Sequence, residues 1–169
     1  MFSVLAKSFK TGCLTEKLPV RDTTAVQLGA ACQQEIARIF GKSLAIRMVD
    51  AGSCNGCELE MHAVNNSFYD IERFGIHFVA SPRHADLLLV TGPVSRHMQA
   101  ALQRTHEAMP DPKIVIAMGD CAADGGEFGV SYASCGAVAN VIPVDAVIRG
   151  CPPTPLQLLL GILEVLRRY

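Results

Sequence analysis

Residues 43–64, "SLAIRMVDAGSCNGCELEMHAV", hold the pattern that decides the fold. "LAIRMV" (44–49) is a short apolar run of the strand type. A glycine-bearing loop follows, with Cys54 and Cys57 two residues apart. From there the apolar period changes. Cys57, Met61, Val64, Phe68 and Ile71 recur at spacings of four and three, which marks one face of a helix running on through "ELEMHAVNNSFYDIERFG". Strand, tight loop and helix make the first half of a βα unit. The CxxC in the loop fits a zinc knuckle, a redox dithiol, half of an iron–sulfur site or a plain turn. The other five cysteines must decide among them.

Outward from this stretch the same alternation continues. "IHFVA" (76–80), "DLLLVTG" (86–92), "KIVIAMG" (113–119) and "AVIRG" (146–150) are short apolar runs of the buried-strand type. Between and around them lie "TTAVQLGAACQQEIARIF" (23–40), closed by Gly41, and "SRHMQAALQRTHEAM" (95–109), which stops before Pro110. The last is "TPLQLLLGILEVLRRY" (154–169), with Thr154 at the N-cap and Pro155 at the first helical position. Strands alternating with helices predict an α/β domain over 23–169, flavodoxin-like, with a mostly parallel sheet covered by helices on both faces. Residues 1–22 read as an N-terminal docking arm for a membrane surface or a partner, with a short surface helix or ordered tail as the alternative. Phe2, Leu5 and Phe9 fall at helical spacing, with Lys7 and Lys10 between them.

The chain has 169 residues, enough for one domain with a real core. Half of its residues are hydrophobic and 18% are charged, which predicts surface covered by other subunits. A net charge of -1 excludes the basic footprint of a nucleic-acid binder. The longest apolar stretch, "LQLLLGILEVL", is too short to span a bilayer. Seven cysteines without a visible signal peptide suggest a reducing, cytosolic setting, in which clustered thiols bind metal rather than pair.

In open α/β sheets, ligands bind beyond the carboxyl ends of the strands. Cys54 and Cys57 follow the first strand, Cys121 follows the strand ending at Gly119, and Cys151 follows the last strand in "IRGCPP". Three strand ends thus bring four cysteines to one sheet edge. The long stretches of chain between Cys57 and Cys121, and between Cys121 and Cys151, suit a site assembled by the fold, not a compact finger. Four thiolates can hold a tetrahedral zinc or a 4Fe-4S cluster. The glycines and prolines beside each cysteine, and the helix starting near Cys57 with its positive end toward an anion, favour the cluster. Zinc and purely structural cysteines remain alternatives at this point.

Four pieces in order, "DAGSCNGCELEM", "SPRHADLLLVTGPVS", "MGDCAADGG" and "VIRGCPPTPLQLLLGIL", carry a more specific likeness. From about Ser43 to Tyr169 the chain resembles the small subunit of group 4, membrane-bound nickel–iron hydrogenases of the formate hydrogenlyase and energy-converting type. That family is related to a small cluster-bearing subunit of respiratory complex I. The resemblance implies one 4Fe-4S cluster held by Cys54, Cys57, Cys121 and Cys151, at the carboxyl ends of the strands. It implies an oxidoreductase role without a catalytic nickel–iron site in this chain. The partners would be a large subunit carrying that centre, a ferredoxin-like electron-transfer subunit and membrane subunits, with the assembly on the cytoplasmic side of the membrane. Complex I relatives carry adjacent cysteines where Asn55 and Gly56 here separate Cys54 from Cys57. The spacer favours hydrogen chemistry over quinone reduction and leaves sulfur-reducing relatives open. A zinc-stapled assembly protein is the non-enzymatic alternative. "KSFKTGCLTEKLP" is similar to the start of ferredoxin-type subunits, but no ferredoxin cysteine run follows it.

Among single residues, Glu58 reads as a first-turn acid favoured by the helix dipole. Glu60 stands where complex I relatives also carry Glu, and both are candidates for proton transfer or cluster tuning. Cys135 and Cys32 read as buried, inert thiols. The five histidines show no ligand spacing, and "GDCAADGGEFG" lacks a nucleotide-binding pattern.

Overall fold

The computed structural model describes Lys10 and residues 23–169. The expected arm, residues 1–22, therefore lies outside the described residues apart from Lys10, and so does Cys13. In chain order the helices and strands are α1 (Thr24–Phe40), β1 (Leu44–Asp50), α2 (Gly56–Val64), β2 (Ile76–Phe78), β3 (Leu87–Thr91), α3 (Arg96–Ala108), β4 (Ile114–Met118), α4 (Asp120–Asp124), β5 (Ala146–Ile148) and α5 (Pro155–Leu166). The five strands form one sheet in the order β2-β1-β3-β4-β5. Every neighbouring pair is parallel. This is the flavodoxin-like order, and its switch point falls between β1 and β3.

The continuous apolar runs in β3 and β4 follow from burial on both faces. Leu87, Leu89, Ile114, Ile116 and Met118 meet Ile36, Met61, Val64, Leu158 and Ile162, which come from α1, α2 and α5. Leu88, Val90, Val115 and Ala117 face the other way, against Leu102 of α3 and Val138. Each fully buried Leu or Ile adds about 1.5–3 kcal/mol relative to exposure. Helix ends follow their sequence signals. α1 stops at Gly41, whose left-handed φ of 61° lets its N–H reach the Ala37 carbonyl. α5 opens with a capping box between Thr154 and Gln157.

One element differs from its sequence reading. The helix after the CxxC ends at Val64 and does not run on to Ile71, and Phe68 is exposed. Asn66 is the cause: its Oδ1 accepts the backbone N–H groups of Phe68 (2.8 Å) and Tyr69 (3.1 Å). That local turn competes with helix hydrogen bonding. Ile71 is still buried, but in a separate 3₁₀ turn, Ile71–Phe74.

Candidate metal centre at the carboxyl ends of the strands

The loop after β1 is shaped by its own polar side chains. Asp50 Oδ1 accepts the N–H groups of Gly52 (2.8 Å) and Ser53 (2.7 Å). Ser53 Oγ accepts the Asn55 N–H at 3.0 Å and donates to Glu58. Glu58 takes a second hydroxyl, that of Thr91 at the end of β3. These bonds pin the CxxC loop to the neighbouring strand. Glu58 is only 5% exposed, and its carboxylate is satisfied by two donors. Glu60 is half-buried and makes no hydrogen bond or ion pair among the described residues. Of the two candidate acids, the structure ties Glu58 to the cysteine loop. The signal in the sequence was the pair of hydroxyls, Ser53 and Thr91, brought together only by the pairing of β1 with β3.

The loops after β4 and β5 are laced to each other. The Gly119 N–H donates to the Ile148 carbonyl (2.7 Å), and the Asp120 N–H to the Gly150 carbonyl (3.0 Å). The Gly150 N–H returns a bond to Asp120 Oδ1 at 3.1 Å. Gly119 adopts φ 91° and ψ 160°, a region essentially reserved for glycine. A Cβ there would stand 2.7 Å from Cys57 Sγ. Cys121 sits in the short helix α4. The Cys151–Pro152 peptide is cis.

The result is a cavity of about 70 Å³ lined by Cys54, Cys57, Cys121 and Cys151, with Ser53, Gly56, Gly92, Asp120, Gly150 and Pro152. None of the five histidines borders it. Cys54 and Cys151 are exposed, while Cys57 and Cys121 are partly buried. Burial pushes the Cys57 thiol up to about 12, and the charges of Glu58 and the other three cysteines push the same way. Burial also raises the Cys121 thiol, followed by its neighbours Cys151, Cys54 and Asp120. Both shifts favour the neutral thiols of Cys57 and Cys121, which hold their protons. A cationic iron or zinc centre would displace them. Among the described residues no three His, Cys, Asp or Glu side chains converge closely enough to hold a single metal ion. Four soft donors line one cavity, a donor set that suits zinc or an iron–sulfur group.

The other two described cysteines stand elsewhere. Cys32 is fully buried between α1 and α5, with its thiol 3.7 Å from the Leu159 carbonyl. Cys135 is 7% exposed and donates to Gln99 Oε1 at 3.4 Å.

Residues 54–165, a span that holds all four cysteines of the cavity, match the family described as NADH ubiquinone oxidoreductase, 20 Kd subunit. The chain belongs to that family. Among curated relatives, formate hydrogenlyase subunit 7 of Escherichia coli is 44% identical over 132 residues, covering 78% of this chain and 52% of the relative. A probable membrane-bound hydrogenase subunit of Pyrococcus furiosus, mbhJ, is 42% identical over 134 residues, covering 79% of this chain and 80% of the relative. The chain therefore spans about half the length of the first relative and most of the second. A chain in the solved structure of the membrane-bound sulfane sulfur reductase, an archaeal respiratory membrane complex, superposes with a TM-score of 0.66. It is 37% identical, and the match covers 80% of the present chain and 74% of that one. Among the described residues no helix is long and apolar enough to cross a membrane.

Proposed function

We propose that this chain is the electron-transfer subunit of a membrane-bound nickel–iron hydrogenase, and that Cys54, Cys57, Cys121 and Cys151 hold one 4Fe-4S cluster. The observation that carries the reading is the meeting of four cysteines from three strand ends around one cavity. Relatives above 40% identity that are named as hydrogenase and formate hydrogenlyase subunits support the reaction. When bound, such a cluster accepts and releases single electrons, so protons and hydrogen would interconvert at the nickel–iron centre of a separate large subunit. This chain's residues hold and orient. Asp50, Ser53, Glu58 and Thr91 fix the first cysteine pair. Gly119 brings the β4 loop against Cys57, and the Asp120–Gly150 bonds set Cys121 beside Cys151.

Exposed apolar side chains support a partner over this edge. Leu59 on α2 is 60% exposed, and Phe128, Val130 and Tyr132 stand open in the segment after α4. Such a surface fits burial against another protein. We assign that cover to the large subunit, the arm of residues 1–22 to a ferredoxin-like or membrane subunit, and the assembly to the cytoplasmic face of the membrane, peripherally.

The likeness to the sulfane sulfur reductase favours a second reading, in which the same relay serves reduction of sulfur chains. Hydrogen-dependent dye reduction by the purified complex tests the first reading. A complex that oxidises no hydrogen but reduces polysulfide would replace it with the second. Quinone reduction without either activity would return the complex I-type alternative.

A further inference from the structure

A charged clip joins the segments that carry Cys121 and Cys151. Arg149 stands two residues before Cys151. Its Nη1 donates to Asp124 Oδ2 at 2.5 Å and lies 3.8 Å from Asp120 Oδ1. Asp120 and Asp124 are the first and last residues of α4, with Cys121 between them. The side chain of Arg149 thus spans from the loop of Cys151 to the helix of Cys121.

The spacing of those two loops is already fixed by backbone, through the Gly119–Ile148 and Asp120–Gly150 bonds. A mostly exposed ion pair adds little stability on top. Its charge is the more informative feature. The loops around the cavity are otherwise acidic: Asp50 shapes the first loop, Glu58 is bonded to Ser53, and Asp120 lines the cavity itself. Among the described residues, Arg149 is the cation that a side-chain hydrogen bond or ion pair ties to these loops. The Asp124 carboxyl is held below its ordinary range chiefly by that bond, so the anchor stays ionised.

Reduction of a group held by four thiolates adds one electron and no proton, and so adds one negative charge. A fixed cation beside it favours that step, and added anions oppose it. We propose that Arg149 is a positioning residue whose charge, anchored by Asp124 at the Cys121–Cys151 edge, raises the reduction potential of the group bound by the four cysteines. This inference rests on the cluster reading above. The electron would come from a ferredoxin-type partner or, in the assay, from dithionite through mediators.

The test is a redox titration of the purified complex at low salt, followed by electron paramagnetic resonance. The signal of this site is identified by its loss or conversion in Cys121→Ser. A unit charge on the order of 10 Å away and partly screened changes the reduction equilibrium about fourfold. At 59 mV per tenfold for one electron, that is about 35 mV. Arg149→Gln should lower the potential by that amount. Asp124→Asn should raise it, and Arg149→Lys should leave it near wild type. The opposite signs matter, because both of the first two substitutions break the same bond. A purely structural clip would move both variants the same way. Shifts of one sign, no shift in Arg149→Gln, or loss of the signal in Arg149→Gln and Arg149→Lys alike would overturn the proposal. A wild-type complex with no iron bound by this chain would instead overturn the cluster reading, whatever Arg149 does.

Discussion

Replacing Gly119 with alanine perturbs the cavity at its tightest point. Two costs add. The backbone conformation, φ 91° and ψ 160°, is essentially closed to residues with a Cβ and costs about 1–3 kcal/mol to hold. The new methyl would also lie 2.7 Å from Cys57 Sγ and 3.5 Å from the Gly150 carbonyl oxygen. The first contact is well inside van der Waals range, so the sulfur or the β4 loop must move. Together the two amount to about 2–4 kcal/mol, in line with overpacking of a close-packed site. For a domain of this size that is a fall in melting temperature of about 5–15 °C. Gly41→Ala is the control. Gly41 also has a positive φ, 61°, but a Cβ there would meet nothing within 4 Å. It should lose about 1 kcal/mol and leave the cysteine site alone. The assay is thermal melting of the full chain in its complex, with iron content measured on the same samples. If Gly119→Ala melts and binds iron like Gly41→Ala, the contact between the β4 loop and Cys57 does not shape the site.

Cys121→Ser should abolish or convert the resonance signal of the site, since a hydroxyl is a harder and poorer ligand for iron, whereas Cys135→Ser should keep it. Equal loss in both would remove the distinction between them. The Cys32 thiol, pushed up to about 11 chiefly by burial, has a folded pKa above its unfolded value of 9.0. Its contribution to stability is therefore full below pH 9 and is lost as pH rises from about 9 to 11, by up to about 3 kcal/mol. The melting gap between wild type and Cys32→Ala should narrow over that window, and a gap independent of pH would contradict the assignment.

Much of this architecture is legible in the sequence for a simple reason. Strands buried on both faces must be continuous apolar runs, so "DLLLVTG" and "KIVIAMG" announce β3 and β4 directly. Capping residues fix helix ends in the same direct way, as Gly41 and Thr154 do. The four cysteines of the cavity are legible because strand ends are the predictable part of a parallel sheet. What the sequence hides depends on contacts between distant segments. The role of Glu58 needs Thr91 beside it, 33 residues away. The bridge from Arg149 to Asp124 spans 25 residues. The early end of α2 is a different case. The apolar spacing through Phe68 and Ile71 continues a helical period, but Asn66 offers Phe68 and Tyr69 a closer acceptor than the helix does. Periodicity records which residues could share a face. Local polar side chains decide whether the backbone continues that far.

In the proposed function, Cys54, Cys57, Cys121 and Cys151 hold one 4Fe-4S cluster. The most direct measurement is iron and acid-labile sulfide in the purified complex, compared between wild type and Cys151→Ser so that clusters in partner subunits cancel. The expected difference is up to about four iron and four sulfide per chain, with loss of the matching visible absorption. Zinc lost in place of iron, or no difference in either, would contradict it.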